Sequence, residues 1–169
     1  HKAGADETER FLAYEVNPDK RQEKESKSYE IEGWTKFTFP GRGDKYSDFK
    51  WSWEHFTGTD FNNENGKEAI YMIKGFEKGG AENESVDSEY GNSVYLVYAD
   101  IVYRHPPVVE EVEKWADWYI KETGVDGFRL DAVKHINDQF VKDFVETIRA
   151  QHGDDFYVVG EYWKYKYGA

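Results

Sequence analysis

The hydrophobic period of this chain changes once, at Arg104–Pro107, and that change limits what it can fold into. Before it, aromatic and β-branched residues alternate with polar ones. Ile31, Trp34, Phe37 and Phe39 lead into Pro40-Gly41, a strand followed by a turn. Phe49, Trp51 and Trp53 alternate with Lys50, Ser52 and Glu54, the pattern of a half-buried antiparallel strand over 49–56. Residues 69–76 and 94–103 read as further strands, 79–93 as a polar loop, and 1–30 as loops with short strands. After Pro106-Pro107 the apolar residues Val108, Val109, Val112, Trp115, Ala116, Tyr119 and Ile120 recur at helical spacing, ending at Gly124. A short apolar strand over 125–131 follows. Phe140, Val141, Phe144, Val145 and Ile148 then mark a second helix closed by Gly153, and 156–162 reads as a buried strand. Two strands joined by one helix form a βαβ unit, which implies a parallel sheet. The expected division is therefore a β-rich antiparallel unit over 1–104 and an α/β unit over 105–169.

Charge and composition exclude more than they assign. A formal charge of −12 repels phosphates and argues against nucleic acid as a partner. No apolar run approaches the roughly 18 residues that cross a bilayer. Cysteine is absent, so thiol chemistry and disulfides are excluded. That leaves the compartment open, with secretion favoured over the cytoplasm. Aromatics make up 18% of the chain, enough for either core packing or stacking on flat ligands such as sugar rings. The five His include no His-x-x-x-His pair for zinc. Gly41-Arg42-Gly43 lacks the rest of a phosphate loop, and the mixed charges of 20–27 suit a solvated loop.

The informative polar groups sit where the parallel strands end. The first ends in Arg129-Leu130-Asp131 and the second in Gly160-Glu161. Adjacent strands lie about 4.8 Å apart, so carboxylates at matching ends would face each other across a ligand. A retaining glycosidase needs two carboxyl groups roughly 5–5.5 Å apart, one to attack the anomeric carbon and one to protonate the leaving oxygen. Arg129, two residues before Asp131, points to the same face; a fixed cation there would hold Asp131 and favour its carboxylate form. The plainer readings are that Asp131 caps the following helix, or that Arg129 and Asp131 are a simple ion pair.

Gly127-Phe128-Arg129-Leu130-Asp131-Ala132-Val133-Lys134-His135 resembles the nucleophile segment of α-amylases of glycoside hydrolase family 13. Gly160-Glu161-Tyr162-Trp163 resembles their general-acid segment, and His1 the end of a third signature. Phe39–Gly43, Tyr46–Trp51 and Tyr98–Ile101 resemble the inserted domain of liquefying bacterial α-amylases and their cytoplasmic relatives. The resemblance implies a partial (β/α)8 barrel, running from the end of strand three through the insert to strand five. It implies cleavage of internal α-1,4 bonds of starch with retention of configuration. Asp131 would be the nucleophile, Glu161 the general acid/base, and Arg129 the residue that holds the nucleophile. His1, Lys134, His135 and Trp163 would bind sugar. The segment supplying a third carboxylate is absent, so the isolated chain is expected to be inactive.

The resemblance also implies calcium between insert and barrel, held by insert carboxylates and the His135 carbonyl. Asp100 and His135 remain. Aligned on Tyr98–Ile101, other acidic positions of the family fall on Val94, Val102 and Arg104, and on Asn83 and Thr57. Val and Arg are not ligands for a cation that takes six to eight oxygens, so the site is expected to be weak or absent unless Asp87 and Glu89 serve instead. Expected partners are starch or maltooligosaccharides, and a second copy or companion chain at open barrel edges. A non-catalytic glucan-binding module and an excised folding fragment are the rival readings.

Overall fold

The structure, a computed structural model, describes residues 7–75, 86–93, 95 and 97–164. They divide into two compact units at Val102/Tyr103, with Asp87 grouped with the second.

The first unit is an antiparallel sheet of β1 (Thr8–Asn17), β2 (Lys20–Lys24), β3 (Tyr29–Trp34), β4 (Phe56–Asn62), β5 (Lys67–Ile73) and β6 (Asp100–Ile101). β1 is its spine, pairing with β3 along Thr8–Ala13 and with β5 along Ala13–Val16. Past β4, the Asn63 N–H donates to the Glu32 carbonyl (2.7 Å) and the buried Asn62 Oδ1 accepts from the Glu32 N–H (3.2 Å). The end of β4 thus returns to β3, and the sheet curls around Phe11, Ala13, Ile31, Phe56, Tyr71 and Ile73.

Residues 8–17 form one ten-residue strand rather than loops with short strands. Its pattern is obscure in sequence because Glu9 and Glu15 share the face of Phe11 and Ala13. Glu9 Oε1 accepts from the Thr35 hydroxyl (2.8 Å) and the Trp53 N–H (2.6 Å). Glu15 accepts from the Tyr29 hydroxyl (2.5 Å) and Lys67 Nζ (2.6 Å). Partly buried carboxylates keep hydrogen-bond partners in this way.

Residues 49–56 are not a strand. Trp51 makes a single bridge to Phe37, Trp53–His55 form a 3-10 turn, and β4 begins at Phe56. The alternating rings pack sideways on one another, with Phe49 and Phe56 both against Trp51. Trp51 and Phe56, with Trp34, Phe37, Phe39 and Tyr98, line an open recess of about 350 Å³. The expected strand at 94–103 shrinks to the Asp100–Ile101 pairing, because Tyr98 takes a left-handed conformation (φ 59°) that interrupts an extended chain. Val94 and Leu96 lie outside the described residues.

The second unit contains α1 (Pro106–Thr123), β7 (Gly127–Leu130), α2 (Asp138–His152) and β8 (Tyr157–Gly160). Pro106 opens α1, and Gly124 at φ 67° closes it by donating to the Ile120 carbonyl (2.8 Å). Asn137 caps α2, its side chain accepting from the Phe140 N–H (3.0 Å). β7 and β8 are parallel, in register from Gly127↔Tyr157 to Leu130↔Gly160. Their inner face, with Phe128, Leu130 and Val158, packs on Ala116, Ile120, Phe140, Phe144, Ile148 and Phe156. The other face is open. Tyr157 is 64% and Val159 43% exposed, so β8 is not the buried strand its apolar run suggests. Among the described residues the helices cover only one side of this pair.

Candidate active site

Alternation along β7 and β8 sets which side chains reach the open face. Phe128, Leu130 and Val158 point to the helices, so Arg129 and Val159 point away. Asp131 and Glu161 continue that alternation just past the strand ends. The Glu161 N–H donates to the Leu130 carbonyl (2.8 Å), extending the ladder by one step. The chain after Asp131 then folds back over Glu161. Ala132 adopts φ 49°, an uncommon conformation for a residue with a Cβ, and its N–H donates to Glu161 Oε2 (3.1 Å). The Val133 N–H donates to the Glu161 carbonyl (3.0 Å).

One guanidinium joins the two acids. Arg129 Nη1 pairs with Asp131 Oδ1 at 2.6 Å, and Arg129 Nη2 lies 3.6 Å from Glu161 Oε1. The Arg129–Asp131 contact is thus more than a local ion pair, because it reaches the next strand. Nor does Asp131 cap the following helix, since Asn137 does. All three side chains are substantially open, Asp131 at 75% exposure. The arrangement offers two carboxylates to whatever occupies the space above the strand ends, at the position where α/β barrels carry their chemistry.

The family model for the alpha-amylase catalytic domain matches residues 23–167. The chain belongs to that family. It is 49% identical to an alpha-amylase of Geobacillus stearothermophilus, over 98% of this chain and 30% of that protein. An alpha-amylase of Bacillus licheniformis is 47% identical over 100% of this chain and 32% of its own length. The cytoplasmic alpha-amylase of Escherichia coli K12 is 39% identical over 98% of this chain and 34% of its own. The chain thus spans about a third of the length of these relatives.

The other expected sugar-binding residues fall around the same strand ends. Lys134 and His135 form a 3-10 turn after Asp131. Lys134 is buried, with Nζ 5.9 Å from the centroid of the Trp163 ring, and Trp163 is exposed. His1 lies outside the described residues. Sequence reasoning missed the partners of Asp87. Its carboxylate, with a side chain 3% exposed, pairs with Lys164 Nζ (2.6 Å) and accepts from the Tyr162 hydroxyl. No sequence pattern signals a contact spanning 75 positions.

Asp100, His135, Asp87 and Val102 are the described residues that bear on the expected calcium site. Among the described residues, no group of three or more His, Cys, Asp or Glu side chains is placed to hold a metal. Asp100 accepts from the Thr57 hydroxyl, Val102 is a buried core residue, and Asp87 already has a cation. The half-buried Arg21 guanidinium lies close enough to Asp100 and Glu89 for their charges to offset part of its loss of solvation. Burial pushes Arg21 below its ordinary pKa, and the two carboxylates and neighbouring tyrosines oppose that. No helix among the described residues is long and apolar enough to cross a membrane.

Proposed function

We propose that this chain supplies the nucleophile and the general acid/base of an enzyme that hydrolyses internal α-1,4 bonds of starch-like glucans with retention. β7 and β8 then correspond to strands four and five of a (β/α)8 barrel, and the antiparallel unit to its inserted domain. The exposed Tyr157 and Val159 are side chains that further strands would cover. The observation that carries the reading is the single guanidinium within ion-pair distance of carboxylates at two adjacent parallel strand ends.

Asp131 attacks the anomeric carbon as the glycosidic C–O bond breaks, and the Glu161 proton passes to the leaving oxygen. The Glu161 carboxylate next takes a proton from water, whose oxygen displaces Asp131 from the anomeric carbon. Arg129 orients both acids. Lys134, His135 and Trp163 line the leaving-group side.

In the longer protein, Asp131→Asn and Glu161→Gln should each lower kcat on amylose by about a thousandfold with the melting temperature unchanged. The first product observed by NMR should be the α-anomer. A β-anomer, or full activity in either variant, overturns the mechanism; amylose bound but never cleaved by the longer protein replaces it with a binding module. The chain alone should show no turnover. Calcium should add little to its stability, because Val102 and Arg104 stand where the resemblance places acidic ligands; a melting temperature that climbs steeply with micromolar calcium refutes this.

A further inference from the structure

Glu161 sits at the start of a segment, 161–164, with no regular structure of its own. Backbone bonds to Leu130 and Val133 hold its first residue. Beyond that point the segment is gripped by Asp87. The Asp87 carboxylate takes the Tyr162 hydroxyl and the Lys164 ammonium, so it holds the residue next to Glu161 and the one after Trp163. The Asp87 backbone N–H donates to the Lys134 carbonyl (3.2 Å), three residues past Asp131. One residue, remote in sequence and with a nearly fully buried side chain, thus ties the loop after the first acid to the loop after the second.

We propose that Asp87 is a positioning residue for Glu161, fixing the backbone that aims its carboxyl at the leaving oxygen. The proposal rests on the reading of Glu161 as general acid. Truncating Asp87 releases the Tyr162 hydroxyl and the half-exposed Lys164 ammonium together, and the segment then free to shift is the one carrying Glu161. A displacement of about 1 Å at a reacting group is worth on the order of a hundredfold in rate.

The test compares Asp87→Ala, Asp87→Asn and Glu161→Gln in the longer protein on amylose and on an α-maltosyl fluoride. Leaving fluoride needs no proton, so kcat/KM on that substrate reports bond cleavage without general-acid help. Asp87→Ala should lower kcat/KM on amylose about ten- to a hundredfold and leave the fluoride close to wild type. Asp87→Asn, which keeps an acceptor for Tyr162, should fall between. A purely structural role would lower both substrates together; that result, or unchanged amylose cleavage, overturns the proposal. If Asp87→Ala does not fold, Tyr162→Phe removes one of the two grips at an exposed side chain and should show the same split in smaller measure. Glu161→Gln is the control: if it cleaves amylose normally, the general-acid assignment fails, and not the role of Asp87 alone.

Discussion

In the first unit Ile31, Ala13 and Tyr71 are sealed inside a sheet that curls back on itself, whereas in the second Tyr157 and Val159 stand in solvent on strands only four residues long. Both units are built on β-pairing, and the difference lies in its direction. Antiparallel strands need no crossover helix, and β1 pairs directly with β2, β3 and β5, so one chain segment completes its own core. A parallel pair needs a crossover helix, and a parallel sheet is stable when both faces are covered. Here α1 and α2 cover one face. The candidate acids lie at the end of the face that carries the exposed Tyr157 and Val159.

That contrast can be broken most directly by paired truncations. Ile31→Ala should destabilise the first unit by about 2–5 kcal/mol in denaturant melts, as expected for a fully buried side chain. Val159→Ala should change stability by no more than about 0.5 kcal/mol. Equal costs would mean that the open face is covered in solution. A smaller effect sharpens the view of the second unit. Asn137→Ala should cost about 1 kcal/mol, because the Phe140 N–H loses its acceptor at the start of α2, and the loss should appear in helical circular dichroism.

A further small effect belongs to a polar contact on the first unit. Hydrogen bonding from Lys67 and then Tyr29 holds the Glu15 carboxyl below its usual pKa, against the opposing effect of burial. A carboxyl lowered in the folded state stabilises it above the unfolded pKa, about 4.3, and that stability is lost as pH falls through the folded value. Glu15→Gln should therefore cost less than about 1 kcal/mol at pH 7, with the difference from wild type vanishing in acid below that range.

The helices were legible because their signals are local. Pro106, Gly124 and Gly153 mark ends, and the apolar spacing between them marks the buried face. Of the strands, β7 and β8 were readable as short apolar runs, but their exposure was not. A run of Tyr-Val-Val looks the same whether or not anything covers it. β1 was hidden for the opposite reason: Glu9 and Glu15 occupy its inner face, and only partners from Thr35, Trp53, Tyr29 and Lys67 make that tolerable. The 49–56 alternation misled because rings at every second position pack on each other as well in a turn as in a strand.

The sequence by itself determined the change from antiparallel to α/β organisation and placed Arg129, Asp131 and Glu161 at strand ends, because residue period and alternation are properties of the local chain. Only the tertiary structure decided that one guanidinium would lie within ion-pair distance of both acids, that Ala132 would turn its N–H onto Glu161, and that Asp87 would grip Tyr162 and Lys164. Apart from Arg129–Asp131, those contacts join residues from 29 to 77 positions apart, and their geometry exists only once the strands have paired and the loops have closed over them.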